Sequence, residues 1–421
     1  MRYLANLTSN FSPKTLLIFG LAFNLGLLGF FKYTDFFLEN FNGIFGSNIP
    51  LPHILLPIGI SFFTFTQIAF LVDAYKGEAK EYSFIHYVLF VSYFPHLLAG
   101  PILHHKEMMP QFASRWNWAI RWRHIALGLF IFSIGLFKKV AIADTFAVWA
   151  NSGFSNSASL HLIDAWVTSL SYTFQLYFDF SGYTDMAIGI SLLFNIKLPI
   201  NFNSPYKAVS IQDFWRRWHI TLSRFLRNYL YIPLGGNRKG KYRTYINLIV
   251  TFLLGGLWHG AGWTFIIWGL MHGIALAIHR LWQNLGFKLN IVVAWLITFN
   301  FVNLAWVFFR AENFNQGMQV VKAMLGLNGI VLPEKLANKL SFLTSYGIGF
   351  GGWPDGFDDF KKSIVFILLA FFLVLLFKPT LLFIKKRKVS LWLTIYAVTL
   401  FSSSVIYSLL NSTEVFLYFN F

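Results

Sequence analysis

Long unbroken apolar runs constrain the fold of this chain more than any other feature of its sequence. Runs such as 16–31 and 291–309 carry no charged residue and approach the roughly 17–25 residues that a helix needs to cross a bilayer. Hydrocarbon offers no hydrogen-bond partner to the backbone, so membrane spans are helices or closed barrels. Barrel strands alternate between apolar and polar residues over about ten positions, and these runs do not. The sequence therefore predicts an all-α membrane protein.

The composition agrees with lipid as the main solvent. Charged residues make up 12% of the chain and hydrophobic residues 56%, with 50 phenylalanines and 15 tryptophans, whereas soluble proteins carry about 25% charged residues. Membrane proteins accumulate Lys and Arg in cytoplasmic loops that face anionic lipid, which explains the net charge of +17 without nucleic-acid binding. The chain has no cysteine, which excludes disulfides, thiol nucleophiles and cysteine metal sites.

We predict one domain over residues 1–421, with ten or eleven membrane segments, some of them short or re-entrant. The first segment is flanked by Lys14 and Lys32, and the pair Lys138-Lys139 marks a membrane surface. The polar stretch 179–182 separates two segments. The predicted segments are 16–31, 51–72, 82–99, 125–143, 160–178, 183–194, 245–258, 263–282, 291–309, 363–377 and 391–410.

Basic loops predict the orientation. Residues 214–243 contain eight Lys or Arg and no acid, and a second basic cluster lies at 385–388. Positively charged loops concentrate on the cytoplasmic side. Both clusters are therefore predicted in the cytoplasm, and the acid-containing stretch 312–362 outside.

Residues 213–229 read as an amphipathic helix because its aromatic and leucine side chains recur at i, i+3 and i+4. His219 falls on the apolar face with Trp215, while Arg217 takes another face. Such a helix could lie at the interface and turn His219 toward the protein interior. The alternative is a surface-anchoring helix with a hydrogen-bonded core histidine.

His259 lies in a glycine-rich run, Gly255 to Gly262, at the end of the short apolar segment 245–258. Glycines there indicate a broken helix or a close backbone approach. Non-helical backbone at membrane depth is tolerated where it is buried in protein or lines a cavity, and an intramembrane histidine is a functional hypothesis by default. The alternative is an interfacial Trp-His pair beside a tight turn.

Other polar residues have weaker signals. His272 and His279 are seven residues apart and share a helix face, and near Gly269 they are more typical of helix packing. Asp179 and Asp185 interrupt an apolar region. A role in lining a cavity and a role in a structural hydrogen-bond network explain them equally well. His104-His105 has no HExxH pattern or cysteine partner, so no metal is predicted.

Three motifs together resemble the membrane-bound O-acyltransferases. They are Phe214-Trp-Arg-Arg-Trp-His-Ile-Thr-Leu-Ser, Tyr229-Leu-Tyr-Ile-Pro-Leu-Gly-Gly-Asn and Gly256-Leu-Trp-His-Gly-Ala-Gly-Trp. The resemblance is to the bacterial branch of alginate and peptidoglycan O-acetyltransferases and teichoic-acid D-alanyl transferases. Supporting matches are Leu56-Pro-Ile-Gly-Ile-Ser, Tyr177-Phe-Asp-Phe-Ser-Gly and the ending Phe416-Leu-Tyr-Phe-Asn-Phe. Family members usually begin with further membrane segments, so this chain is predicted to be short at its N-terminus.

The resemblance implies that His259 is catalytic, that His219 is the second essential residue, and that both face a central funnel or tunnel. Histidine suits a base near pH 7 for acyl transfer to a hydroxyl. Tunnel or donor-binding roles are predicted for Trp258, Trp215, Arg216, Arg217, Asp179, Asp185 and His272.

The resemblance also implies an enzyme of a bacterial cytoplasmic (inner) membrane with no bound cofactor. It would pass an acetyl or other small acyl group from a cytoplasmic donor, acetyl-CoA, toward an extracytoplasmic polysaccharide such as alginate. A periplasmic or membrane-anchored acetyltransferase partner would complete the transfer. The alternatives are a proton-coupled transporter that uses a histidine relay and a non-catalytic subunit of a polysaccharide modification or export complex.

Overall fold

A computed structural model describes residues 12–79, 83–97, 100–351, 360–380, 389–411 and 416–417. The basic cluster at 385–388 and the end of the C-terminal motif, 418–421, lie outside these residues. The described chain is predominantly helical, and its one described sheet pairs two short parallel strands, β1 (Ile330–Pro333) and β2 (Ile348–Gly351).

The α-helices are numbered in chain order. They are α1 (Pro13–Leu28), α2 (Thr34–Phe45), α3 (Ile60–Tyr75), α4 (Phe84–Ser92), α5 (His105–Phe112), α6 (Trp122–Phe137), α7 (Asp144–Ser155), α8 (Leu162–Leu193), α9 (Ile211–Arg217), α10 (Ile220–Leu226), α11 (Lys241–His259), α12 (Trp263–Leu285), α13 (Ile291–Arg310), α14 (Phe314–Met324), α15 (Ala337–Leu340), α16 (Phe360–Leu376) and α17 (Leu391–Leu410). Among the described residues, three π-helical turns occupy Gly29–Tyr33, Lys138–Ala143 and Arg227–Tyr231, and 3-10 turns occupy Phe94–His96, Arg115–Trp118, Ser157–Ser159, Pro205–Lys207, Glu334–Leu336 and Ser341–Tyr346.

Within the described residues, five helical stretches are long and apolar enough to cross a membrane. They are Pro13–Phe45, Trp122–Ser155, Trp263–Leu285, Ile291–Arg310 and Leu391–Leu410. The all-α, multi-pass prediction is thus confirmed, whereas the count of ten or eleven segments is not. Over their described residues, the segments predicted at 51–72 and 82–99 are helical only in part, over α3, α4 and the 3-10 turn Phe94–His96.

The first span continues past the point where the sequence predicted its end. A π-helical turn, Gly29–Tyr33, joins α1 to α2, so that helical backbone runs from Pro13 to Phe45. Lys32 therefore lies inside this helical stretch and does not flank it. A π-turn inserts one extra residue and redirects the side chains around it.

The predicted interruption at Lys138-Lys139 is wrong, because α6 continues through a π-turn into α7. The ammonium group of Lys138 lies 2.7 Å from Asp185, and that of Lys139 lies 2.6 Å from Asp144 and 3.0 Å from Asp179. These ion pairs allow both lysines to remain within the helix bundle.

The two segments predicted at 160–178 and 183–194 form one helix, α8. Its polar interruption stays helical because the carboxylates are paired and because glycines let α6 approach closely. A Cβ added to Gly135 would lie 2.5 Å from the carbonyl oxygen of Gly182, a contact that no side chain could tolerate.

A second close crossing joins α11 to α12. A Cβ on Gly273 would lie 2.7 Å from Ile249 Cα, and one on Gly269 would lie 3.1 Å from Gly256 Cα. Small residues at such crossings let helix backbones approach in membranes. Gly269 and Gly273, near which helix packing was predicted for His272 and His279, thus lie at a close crossing. This crossing sets how the residues at the start of α12 face the end of α11.

Candidate active site

His219 lies at a break between two short helices. The sequence predicted one amphipathic helix over 213–229, but the backbone at His219 adopts a left-handed conformation (φ 41°) that separates α9 from α10. Asn201 supports this break, since its carbonyl accepts a hydrogen bond from Ile220 N–H at 3.0 Å and its side chain accepts one from Thr221 Oγ1 at 2.6 Å. The prediction of one helix is wrong, but the prediction that His219 points inward is confirmed, because its side chain is fully buried.

His259 is the last residue of α11, at the helix break that its glycines predicted. The backbone is extended at Gly260 and at Gly262, and α12 begins at Trp263. The side chain of His259 is 5% exposed. A Cβ on Gly260 would overlap the ring of Phe265, so glycine is required here for close approach.

The tertiary structure brings the two predicted catalytic histidines together. The ring centroids of His219 and His259 lie 6.5 Å apart, with 62° between the planes. Phe180 of α8 contacts His219 edge-on at 4.8 Å. The two imidazoles therefore belong to one buried site, although each lies on its own helix boundary.

Aromatic rings surround this histidine pair and exclude water from it. Burial lowers the pKa of His219 to about 3, so this imidazole is neutral at physiological pH. In such a site electrostatic interactions are stronger than in water. The rings that contact His259, with their centroid distances, are Trp258 (4.9 Å), Trp268 (5.1 Å) and Phe309 (5.2 Å).

Trp215 and His272 form the next layer of the site. The indole N–H of Trp215 donates to Nδ1 of His272 at 3.2 Å, which assigns the proton of the neutral His272 ring to Nε2. His272 is fully buried and contacts Trp268 at 4.8 Å between centroids. Trp215 and His272, two of the predicted tunnel or donor-binding residues, therefore both contact Trp268, which in turn contacts His259.

Trp258 also belongs to the site, because its ring forms one wall of the site beside both histidines. Its ring stacks on Phe65 at 4.8 Å, and its indole N–H donates to the carbonyl of Ser61 at 3.3 Å. Its centroid lies 6.4 Å from that of His219. Trp258 thus connects α3 to both histidines.

The remaining predicted residues do not join the histidine pair. Arg216 is exposed, and Arg217 forms an ion pair with Asp213 at 2.9 Å. Asp179 is engaged by Lys139, and Asp185 by Lys138 and by Thr380 Oγ1 at 2.6 Å. For both aspartates the structure favours the hydrogen-bond network, although Asp185 also borders a small cavity.

Two residues that bind the backbone at the end of α11 were missed. The ammonium group of Lys32 donates to the carbonyl oxygens of Trp258 and His259 at 2.7 and 2.9 Å, and Tyr33 Oη donates to that of Leu257 at 2.7 Å. The only sequence signal for this role is the presence of Lys32 beside an apolar run. A lysine in that position is equally typical of a membrane-edge residue.

The basic segment 214–243 was identified from the sequence, but the basic cavity that part of it lines was not predicted. This cavity has a volume of about 620 Å³ and lies between the 227–238 segment and the facing residues of α11 and α12. Its charged lining residues are Arg227, Arg238 and Arg280, beside His279. Thr244 and Leu248 of α11 line it too.

One cluster has the composition of a metal site. Asp73, His104 and His105 bring one ligand atom each to within 4.8 Å of one another. However, Nδ1 of His104 accepts a hydrogen bond from the Lys106 backbone N–H at 3.3 Å. The neutral ring then carries its proton on Nε2, the nitrogen that faces Asp73 at 3.0 Å and that a metal would need deprotonated. The cluster fits a hydrogen-bond network, with Tyr229 Oη donating to Asp73 at 2.7 Å.

The apolar spans and the buried histidines define a multi-pass membrane protein with an enclosed, histidine-containing site. Comparison with known proteins gives its family. The model of the membrane-bound O-acyltransferase (MBOAT) family matches residues 52–315. The chain belongs to this family, and it is an acyltransferase.

Three relatives illustrate the range of the similarity. The peptidoglycan O-acetyltransferase of Helicobacter pylori is 52% identical, over 96% of this chain and 82% of that protein. The probable alginate O-acetylase of Pseudomonas aeruginosa is 47% identical, over 76% and 62%. The teichoic acid D-alanyltransferase of Bacillus subtilis is 28% identical, over 63% and 71%. The matched region thus spans less than two thirds of the alginate relative.

Proposed function

We propose that this protein transfers an acetyl group from acetyl-CoA on the cytoplasmic side to an acceptor hydroxyl group, with His259 as the general base. A partner then passes the acetyl group to an extracytoplasmic polysaccharide. The observation that carries the proposal is the buried juxtaposition of His259 and His219, 6.5 Å apart between ring centroids. Their segments carry the two motifs that resemble the acyltransferases. The Helicobacter and Pseudomonas relatives named as O-acetyl-transferring proteins support acetyl as the group.

In the proposed reaction, the imidazole of His259 accepts the proton of the acceptor hydroxyl as its oxygen attacks the thioester carbonyl. The new C–O bond forms a tetrahedral intermediate, whose collapse breaks the C–S bond. The thiolate of CoA takes the proton from His259. The products are an O-acetyl ester and free CoA, so atoms and charge balance.

The developing oxyanion needs hydrogen-bond donors, and two kinds of donor lie beside His259. The first backbone N–H groups of α12, which begins at Trp263, have no intrahelical acceptor and lie at the positive end of the helix dipole. The indole N–H of Trp268 is buried and has no acceptor among the residues that the structure describes. We assign oxyanion stabilisation to this group of donors.

His219 has the second role in this scheme. Because its imidazole is neutral, it can offer one donor and one acceptor without competing electrostatically with a protonated His259. We assign it to positioning the acceptor hydroxyl against His259, since efficient proton transfer requires reacting atoms to be held in line.

The basic cavity supports an anionic donor. Arg227, Arg238 and Arg280 line it, and arginine guanidinium groups bind phosphates in bidentate geometry. Leu248 borders the cavity and His259 ends the same helix, and these residues lie about 16 Å apart along the axis at 1.5 Å per residue. An extended donor could therefore bind its phosphates in the cavity and its acyl group at His259.

For the acceptor we favour peptidoglycan over alginate, because the Helicobacter relative matches at higher identity and over nearly the whole chain. The chain would reside in a bacterial cytoplasmic membrane and hand the acetyl group to a periplasmic or membrane-anchored partner. Base-labile acetate measured separately on peptidoglycan and on secreted polysaccharide would identify the acceptor. Acetate lost only from the secreted polymer in a deletion strain would contradict the peptidoglycan assignment.

The test of the enzyme assignment is His259→Ala in cells, with His86→Ala, on α4, as a matched histidine control. We expect His259→Ala to abolish polymer acetylation while its abundance in the membrane fraction stays normal. The same variant in nanodiscs should release no CoA from acetyl-CoA. Wild-type acetylation by His259→Ala would refute the catalytic role and favour a non-catalytic subunit. Proton flux through the purified protein without acetyl-CoA would instead favour a transporter.

A further inference from the structure

The backbone at the end of α11 is held by two consecutive side chains of the first span. Lys32 Nζ donates to the carbonyl oxygens of Trp258 and His259, at 2.7 and 2.9 Å, and to Ser61 Oγ at 3.2 Å. Tyr33 Oη donates to the carbonyl oxygen of Leu257 at 2.7 Å. Three successive carbonyl groups, ending with that of His259, are thus bound from one direction.

These carbonyl groups are those that a helix cannot satisfy itself. The last four C=O groups of an α-helix have no intrahelical partner, and α11 ends at a glycine in extended conformation. A cation at this end interacts favourably with the helix dipole. Lys32 and Tyr33 therefore supply hydrogen bonds that the glycine-rich turn leaves open.

The position of Lys32 is costly and needs a compensating interaction. It lies in the stretch Pro13–Phe45, which is apolar enough to cross a membrane, and a lysine near the centre of such a helix is rare unless it pairs with a partner or with backbone carbonyl groups. The π-turn Gly29–Tyr33 turns Lys32 and the adjacent Tyr33 toward the same helix end. Both features argue for a specific role at that end.

We propose that Lys32 and Tyr33 are positioning residues for the acyl transfer, which set the depth and orientation of the His259 imidazole. This inference rests on the proposed role of His259 as the base. The side chain of His259 follows the backbone to which these residues bind. Misplacement of a reacting group by about 1 Å can reduce a rate by about 100-fold.

Substitution of Lys32 by methionine keeps the length of the chain and removes its donors and charge. We expect Lys32→Met to lower kcat by about 10- to 100-fold with the KM for acetyl-CoA unchanged, because the donor cavity is lined by other residues. Lys32→Arg retains charge and donors and should restore most of kcat. Tyr33→Phe removes a single hydrogen bond and should lower kcat by a smaller factor.

The experiment measures kcat and KM for CoA release by the purified full chain in nanodiscs, with a soluble peptidoglycan fragment as the acetyl acceptor. Lys14→Met, on the exposed start of the same helix, is the control. His259→Ala is measured in parallel. An inactive His259→Ala with wild-type kcat in both Lys32→Met and Tyr33→Phe would overturn the positioning role and leave the proposed function standing. An active His259→Ala would refute the proposed function itself. If Lys32→Met fails to insert, Tyr33→Phe and Lys32→Arg decide. Wild-type kcat in Tyr33→Phe, or a loss of kcat of about 100-fold in Lys32→Arg, would contradict the proposal.

Discussion

The indole N–H of Trp215 donates to Nδ1 of His272 across 3.2 Å, deep in the protein and one layer behind His259. The bond joins α9, the helix that precedes His219, to α12, the helix that follows His259. It therefore couples the positions of the two segments that form the candidate site. Its loss would leave the buried acceptor of His272 unsatisfied, which costs about 1–3 kcal/mol.

Trp215→Phe should lower the free energy of unfolding by about 1–3 kcal/mol for the lost hydrogen bond, and further because the smaller phenyl ring leaves a cavity. The thermal midpoint of the detergent-solubilised protein measures the change. Trp392→Phe, at an exposed position on α17, is the control. A midpoint unchanged in Trp215→Phe would show that this hydrogen bond does not stabilise the fold.

His219→Phe should lower kcat at least about 100-fold, in the range found when a proton-transfer or positioning group is removed. Phenylalanine is similar in shape to histidine and only slightly larger, so the protein should insert and the thermal midpoint should change little. The measurement is CoA release in nanodiscs together with the thermal midpoint. A normal kcat would separate His219 from the acyl-transfer step, whereas a lowered midpoint would indicate a packing role.

Neutralisation of the basic cavity should weaken donor binding without affecting the chemical step. Arg227→Gln and Arg280→Gln should each raise the KM for acetyl-CoA by about 10-fold, the equivalent of one charge-assisted hydrogen bond, and leave kcat unchanged. Arg243→Gln, at an exposed position outside the cavity lining, is the matched control. Equal KM values in all three variants would place the donor elsewhere.

Gly273→Ala should destabilise the crossing of α11 and α12, because the added Cβ would lie 2.7 Å from Ile249 Cα. Overpacking of this kind costs about 1–3 kcal/mol. Gly26→Ala is a helical control with no heavy atom within 4 Å of its added Cβ, and alanine favours helix there. A lower thermal midpoint for Gly273→Ala alone is the expected result, and equal midpoints would contradict the close crossing.

Lys139→Met should destabilise the protein by about 3–5 kcal/mol, since it leaves Asp144 and Asp179 buried without their common cation. Lys106→Met removes a pair with Glu78 in which both side chains are about half exposed, and such pairs contribute about 0–1 kcal/mol. Membrane abundance and thermal midpoints of the two variants test this difference. A mild effect of Lys139→Met would mean that the network tolerates the loss of its cation.

Much of the site could be predicted because its signals are local. The glycines around His259 indicated a helix break from their conformational freedom alone, and the aromatic spacing around His219 indicated an inward-facing imidazole. The fold class followed equally directly, since the runs at 16–31 and 291–309 are too apolar for water. These inferences depend on neighbouring residues and on the solvent, and both are properties that a sequence displays.

The errors have a common physical origin in long-range partners. Lys32, Lys138 and Lys139 have the appearance of membrane-edge residues, yet each is compensated by groups far away in the chain: the carbonyl of His259, the carboxylate of Asp185 and that of Asp179. A charge is expelled from an apolar helix only when it is unpaired. Spacing along the chain does not reveal such a partner.

The sequence by itself determined that this chain is a helical membrane protein and that His219 and His259 lie at special positions. Only the tertiary structure decided that their rings lie 6.5 Å apart, that Arg216 is exposed, and that Arg217, Asp179 and Asp185 face other partners. Lipid compatibility and glycine conformation act over a few residues, whereas ring contacts and ion pairs depend on which helices cross. The crossing of α11 and α12 and the break at His219 together create the site.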